Sequence, residues 1–73
     1  MSRVNKGDMA YIPSHTRLFK FHDGVLKRFI EPDSPIHVLV AETDRDQDRV
    51  KVLYDGNYWH VHSKDVYEVE KND

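Results

Sequence analysis

Between residues 49 and 62 the sequence alternates apolar and polar residues on either side of a short turn. Val50 and Val52 occupy every second position of the first segment, and residues 58–62 continue the alternation. Successive side chains of a β-strand point to opposite faces, so this spacing predicts two strands that each bury one face. The turn Asp55-Gly56-Asn57 favours the positive φ angles of a tight hairpin. The pattern therefore predicts a β-rich chain built around this hairpin.

The remaining apolar residues also come in short runs, without sustained helical periodicity. Short runs bounded by turn residues indicate further strands. We predict these strands at residues 9–12, 36–41 and 67–69. Residues 63–66 suit one turn of 3₁₀ helix, with Ser63 as its cap.

Residues 14–35 are interpreted as a long, irregular first loop. Apolar residues precede and follow the turn His22-Asp23-Gly24, which indicates that the loop folds back as an irregular hairpin. A single helical turn near residues 25–29 is the alternative. Five strands, this long loop and a 3₁₀ turn before the last strand predict an all-β fold, a small five-stranded closed barrel. Closure removes most exposed strand edges.

A chain of 73 residues has room for one domain. We predict a single domain over residues 1–73, with an ordered core at about 4–69 and a polar tail at 70–73. The predicted core residues are Met9, Tyr11, Leu18, Val38, Val40, Val50, Val52, Trp59, Val61, Val66 and Val69.

The composition indicates in which cellular compartment the protein is expected. The chain has no cysteine, which favours a reducing, cytoplasmic setting. No apolar run approaches the roughly 20 residues of a membrane span, and the charged N-terminus lacks the apolar stretch of a signal peptide. We therefore expect a cytoplasmic protein that does not bind membranes.

The order of the predicted elements carries a resemblance. Residues 7–12 as opening strand, the long loop, and residues 38–69 as meander, helical turn and final strand together resemble the Src-homology-3-like (SH3-like) barrel over nearly the whole chain. The segments "KGDMAYIPS" and "RVKVLYDGNYWHVHSKDVYEV" also resemble small barrel proteins of tailed bacteriophages and some barrel domains of nucleic-acid-associated proteins. The resemblance implies a phage or prophage accessory protein that works in the host cytoplasm. Trp59 is the only tryptophan, so the paired tryptophans that seat proline-rich peptides have no counterpart.

Charge is unevenly distributed along the chain. Residues 1–31 contain six Lys/Arg and three Asp/Glu, a net +3, whereas residues 32–73 contain five and ten, a net −5. The chain as a whole is mildly acidic and lacks the excess of basic residues that is typical of a duplex-DNA-binding protein. We expect a non-enzymatic interaction module that binds a larger host or viral protein, with the acidic half facing a basic partner surface. A structural or assembly subunit is a further alternative.

The long loop also mixes cations with aromatic residues. Grooves of this composition bind single-stranded nucleic acid, so a nucleic-acid-binding barrel that uses residues 15–30 is the second hypothesis. Phenylalanines that close the barrel while the cations extend outward would explain the same pattern. On residues 58–62, alternation places Tyr58, His60 and His62 on the outer face. The candidate partner-binding residues are Arg17, Phe19, Lys20, Lys27, Arg28, Tyr58, His60 and His62.

Catalytic and metal sites have little support in the sequence. His60 and His62 lie two apart on one predicted strand face, but no third ligand is fixed by spacing, so we expect no metal. The three glycines are isolated at turns and form no phosphate-binding loop. Neither Ser14-His15 nor His62-Ser63 has the surroundings of a nucleophile and its base. We expect no catalytic residue, no cofactor and no small-molecule substrate.

Overall fold

The computed structural model describes residues 4–44, 46 and 48–69. These residues form an all-β protein, which confirms the predicted class. The strands are β1 (Met9–Ile12), β2 (Leu18–His22), β3 (Val25–Ile30), β4 (Ile36–Asp44), β5 (Arg49–Tyr54), β6 (Asn57–His62) and β7 (Tyr67–Glu68). One turn of 3₁₀ helix, Ser63–Asp65, precedes β7. No helix among the described residues has the length and apolar content of a membrane span.

The strands form a single antiparallel sheet in the order β3-β2-β6-β5-β4-β1-β7. The prediction of a five-stranded closed barrel is therefore wrong. The segment interpreted as a long loop supplies two strands of its own, which raises the number of described strands to seven. The two end strands, β3 and β7, do not pair with each other in the described part of the chain, so the sheet is open.

Two hairpins that the sequence predicts are confirmed. Asp55 and Gly56 have φ angles of 53° and 76°, and they join β5 to β6 through a two-residue turn with Tyr54 opposite Asn57. Positive φ at both turn positions matches the right-handed twist of the flanking strands. The hairpin of β2 and β3 turns in the same way through Asp23 and Gly24, at 51° and 78°. It is a strand hairpin rather than a helical turn.

The core lies on one face of the sheet, which we call the inner face. Its buried residues are Val4, Ala10, Ile12, Leu18, Ile36, Val38, Val40, Val50, Val52, Trp59, Val61 and Val66. Neither a long helix nor a second sheet of described residues covers this face. The sheet must therefore curve so that its own strands cover their inner side chains.

The predicted orientation of β1 is wrong. Met9 and Tyr11, predicted in the core, are 52% and 36% exposed, whereas Ala10 and Ile12 are fully buried. Pairing with β4 sets this orientation, because Ala10 lies opposite the buried Val38. Directly opposite residues of an antiparallel pair share a face. The larger side chains are therefore turned outward by register. Val69, also predicted in the core, is only half-buried.

Hydrogen bonds outside the strands fix the start of β1 and the 3₁₀ turn. The Gly7 N–H donates to the Val40 carbonyl at 2.8 Å, and the Val40 N–H donates to the Asp8 carbonyl at 2.8 Å. The predicted 3₁₀ turn is confirmed, but Ser63 is its first residue rather than its cap. The Ser63 hydroxyl instead donates to the Asp48 carboxylate. The predicted polar tail, residues 70–73, lies outside the described residues.

Candidate interaction surface on the outer face of the sheet

The outer face is the side of the sheet opposite the core, and cross-strand register places its side chains in rows. One row crosses five strands and is called the mixed row. Its members are Phe29, Phe19, His60, Lys51 and Glu42, each directly opposite the next. Opposite residues of antiparallel strands have Cβ atoms about 5 Å apart. The mixed row therefore runs from an aromatic end on β3 to a carboxylate on β4.

A second row, the apolar row, crosses β6, β5, β4 and β1. Its members are Tyr58, Leu53, Leu39 and Met9, again in direct register. Tyr58 and Met9 are each 52% exposed and Leu39 is 38% exposed. The Lys51 Nζ lies 4.9 Å from the centre of the Tyr58 ring, so the two side chains form a cation–π contact. Leu53 is half-buried between Tyr58 and Leu39, so the four strands form a continuous apolar strip that is partly exposed to solvent.

A shallow groove of about 190 Å³ lies where β2 and β3 meet β6. This aromatic groove is lined by Phe19, Phe21, Leu26, Arg49, His60, Val61 and His62. The Phe21 and His60 rings meet edge to face at 5.5 Å, and the Phe19 and His62 rings do so at 6.4 Å. Aromatic pairs favour this geometry because the positive edge of one ring meets the negative face of the other.

Arginines flank the aromatic groove. The Arg49 guanidinium lies 5.0 Å from the centre of the Phe21 ring, and that of Arg17 lies 5.2 Å from the centre of the Phe29 ring. Arg17 also pairs with Glu31 at 3.2 Å, with side chains that are 61% and 41% exposed. An exposed pair of this kind contributes at most about 1 kcal/mol. The ion pair with Glu31 therefore holds the Arg17 guanidinium only weakly.

His60 connects the mixed row to the aromatic groove. It is half-buried, and its Nδ1 has no hydrogen-bond partner among the described residues. Burial lowers the pKa of His60, because the charged imidazolium loses contact with water. The cations Lys51 and Arg49 lower the pKa further, and the carboxylates of Glu42 and Asp44 partly oppose them.

The lowered pKa of His60 predicts a dependence of stability on pH. Between the folded pKa and the unfolded value of about 6.5, the unfolded chain binds more protons, so the free energy of unfolding decreases as the pH falls. Below the folded pKa the decrease stops. Urea unfolding of wild type and His60→Asn at several pH values should show a shallower decrease in the variant. His62→Asn controls for the loss of an imidazole from β6. An unchanged pH dependence in His60→Asn would contradict the lowered pKa.

The structure brings together some of the candidate residues that the sequence predicts. Phe19, His60 and His62 meet in the aromatic groove, Tyr58 lies two residues along β6, and Arg17 covers Phe29. All of them belong to the outer face or border it.

Three other candidate residues are placed differently. Lys20 and Arg28 are directly opposite each other, with their cationic groups 5.4 Å and 5.3 Å from the centre of the Trp59 ring. Trp59 is an inner-face residue, so these two cations lie on the other side of the hairpin. Lys27 is exposed at an irregularity in the pairing of β2 with β3.

Sequence reasoning missed several residues of this surface. Arg49 and Lys51 alternate with Val50 and Val52, so their position on the outer face was available from the same alternation. The positions of Met9 and Leu39 beside Leu53 depend on register, for which the sequence has no direct signal. The described residues contain no group of three or more His, Asp or Glu side chains able to hold a metal ion.

Comparisons of the chain with protein-family models, with curated protein sequences and with solved structures gave no match.

Proposed function

We propose that the protein is an interaction module without enzymatic activity, which binds a larger protein through the outer face of its sheet. The observation that supports this best is the apolar row, in which Tyr58, Leu53, Leu39 and Met9 adjoin across four strands. A small soluble protein gains nothing in stability from apolar side chains left in water. Contiguous exposed apolar side chains are typical of contact sites.

The chemistry of the surface around the apolar row fits a protein partner. Tyrosine, phenylalanine, methionine and arginine are enriched in protein interfaces, and all four occur on this face. Tyr58 has the features of an anchor residue. Its ring is half exposed, Lys51 lies against it, and its hydroxyl can bond to a partner.

The inner face leaves little room for an alternative site. Val50, Val52 and Val61 are at most 1% exposed, so these inner side chains are covered by the protein itself. Recognition on the exterior of the sheet is therefore the function that this architecture supports best.

The test is affinity capture with three single variants. Tyr58→Ser and Leu39→Ser should each reduce the amount of a specifically captured protein at least about tenfold, as expected for loss of an interface anchor. Tyr67→Ser is the matched control, because it makes the same substitution at another exposed tyrosine, 41% exposed, which lies on β7, outside both the apolar row and β3. Capture is quantified by mass spectrometry. The resemblance to phage barrel proteins makes bacterial lysate, with and without phage proteins, the first sample.

The other possible results of the capture experiment distinguish between the alternative functions. Equal capture by all three variants would overturn the proposal. Capture that disappears after nuclease treatment, with oligonucleotide binding that weakens steeply with salt, would instead support the nucleic-acid hypothesis. A concentration-dependent oligomer that Tyr58→Ser dissociates would show that the outer face binds a second copy, as an assembly subunit would. All three variants are expected to keep their fold, since surface changes usually alter stability by less than about 0.5 kcal/mol.

A further inference from the structure

The sheet ends on β3, a six-residue strand whose described neighbours lie on one side only. We propose that an extended segment of a partner protein adds to β3 as a further strand, and that this segment alternates apolar and acidic side chains. The inference rests on the proposed function, because it specifies how a protein partner would bind.

The backbone of β3 offers hydrogen-bonding groups to a further strand. An edge strand presents a row of N–H and C=O groups without strand partners, which can pair with another extended chain. Five of the six β3 residues are exposed, and β2 is the only described strand that pairs with β3. The opposite edge, β7, has only two residues and offers much less backbone to a partner.

The side chains of β3 define what the added strand must carry. Leu26 and Phe29 lie opposite Phe21 and Phe19, so they point to the outer face and extend the aromatic groove toward the edge. Arg28 lies opposite Lys20 and points to the other side. Neighbouring strands place their side chains beside one another on each face. Apolar residues of the added strand would contact Leu26 and Phe29, and the residues between them would contact Arg28.

The charge of the hairpin selects acidic residues for those positions. Residues 18–30 contain three cations, Lys20, Lys27 and Arg28, and one carboxylate, Asp23, a net +2. The Asp23 carboxylate is at the turn beside His22, at 3.3 Å. Complementary charges raise the association rate and suppress wrong partners.

The same charges disfavour a second copy of this chain at the edge. Pairing β3 with β3 would bring two sets of Lys27 and Arg28 together, and like charges in direct contact destabilise a strand pair. A lysine at an irregular edge is a common protection against self-association. The charges of β3 thus disfavour pairing with a second copy of the chain and favour pairing with an acidic strand.

The probe is a short, end-blocked peptide of alternating valine and glutamate, titrated into the isotopically labelled protein and followed by NMR. Residues of β3 should shift, and their amides should gain protection from hydrogen exchange. The lysine analogue of the peptide should bind at least about tenfold more weakly, and Lys27→Glu with Arg28→Glu should reverse that preference. The acidic peptide with alternate backbone nitrogens methylated should lose at least about tenfold in affinity, because it cannot donate to an edge.

Four results would overturn the inference: no binding of the acidic peptide, equal affinity for both peptides, retained affinity after backbone methylation, or shifts confined to the apolar row. Formation of a β3-linked dimer would overturn it as well, in favour of a second copy. Failure of the peptide experiment can be distinguished from failure of the proposed function. If Tyr58→Ser and Leu39→Ser abolish capture while the peptide fails, the outer face binds the partner and the edge does not.

Discussion

Replacing Val61 by aspartate is expected to destabilise the protein severely. Val61 is 1% exposed on the inner face of β6 and lies opposite Val50, which is fully buried. An aspartate there would place an unpaired carboxylate in an apolar core, at a cost of about 4 kcal/mol or more. A domain of this size has a total stability of only about 5–10 kcal/mol. Thermal unfolding followed by circular dichroism should show a melting temperature lowered by at least ~20 °C, or no folded state.

His62→Asp is the matched control, one residue along the same strand. His62 is exposed on the outer face and lies directly opposite Arg49, so an aspartate there stays in water beside a cation. Its effect on the free energy of unfolding should be within about 1 kcal/mol. Equal destabilisation by both substitutions would mean that the faces of β6 are assigned wrongly, and the outer-face rows would no longer exist as described.

The second large effect is expected at β1, where sequence and structure disagree. Ala10 is fully buried between Val38 of β4 and Glu68 of β7, its partners in register. Ala10→Asp would add both volume and a charge to a filled site, and we expect a loss of about 3 kcal/mol or more. Met9→Asp should cost well under about 1 kcal/mol, because the Met9 side chain is half exposed.

Urea unfolding of the two variants decides between the two orientations of β1. If Met9→Asp were the more destabilising substitution, the orientation that the sequence pattern favours would be right. The register Met9 opposite Leu39 would then be wrong, and the apolar row would lose its end on β1. The pair of variants therefore tests the surface on which the proposed function rests, without requiring that a partner be identified.

Much of the fold was predictable because it depends on neighbours in sequence. The β5–β6 hairpin needs alternation and two turn residues that accept positive φ, and all of these lie within residues 49–62. The β2–β3 hairpin uses the same turn chemistry at Asp23 and Gly24. The number of strands was less predictable. A loop that closes a barrel and a strand with one aromatic face would both suit Phe19, Phe21 and Phe29. The local sequence pattern does not distinguish the loop from the strand.

The candidate surface was predictable only in part, for a related reason. The outward orientation of Tyr58 and His62 follows from alternation along one strand. Their neighbours Leu53, Arg49 and Lys51 come from β5, and contact across strands depends on register rather than on spacing in the chain. The same holds for Lys20 and Arg28, which the sequence groups with the phenylalanines but which the structure places over Trp59.

By itself the amino-acid sequence determined that this protein is built from short strands, where the β2–β3 and β5–β6 hairpins turn, and which side chains of β5 and β6 share a face. These properties follow from backbone sterics and a two-residue period, which act over a few residues. Only the tertiary structure decided that the sheet is open with β3 at its edge, that Ala10 rather than Met9 is buried, and that four apolar side chains adjoin on the outer face. Those outcomes depend on which strands pair and in which register, and pairing is a balance of burial over the whole sheet that no local segment contains.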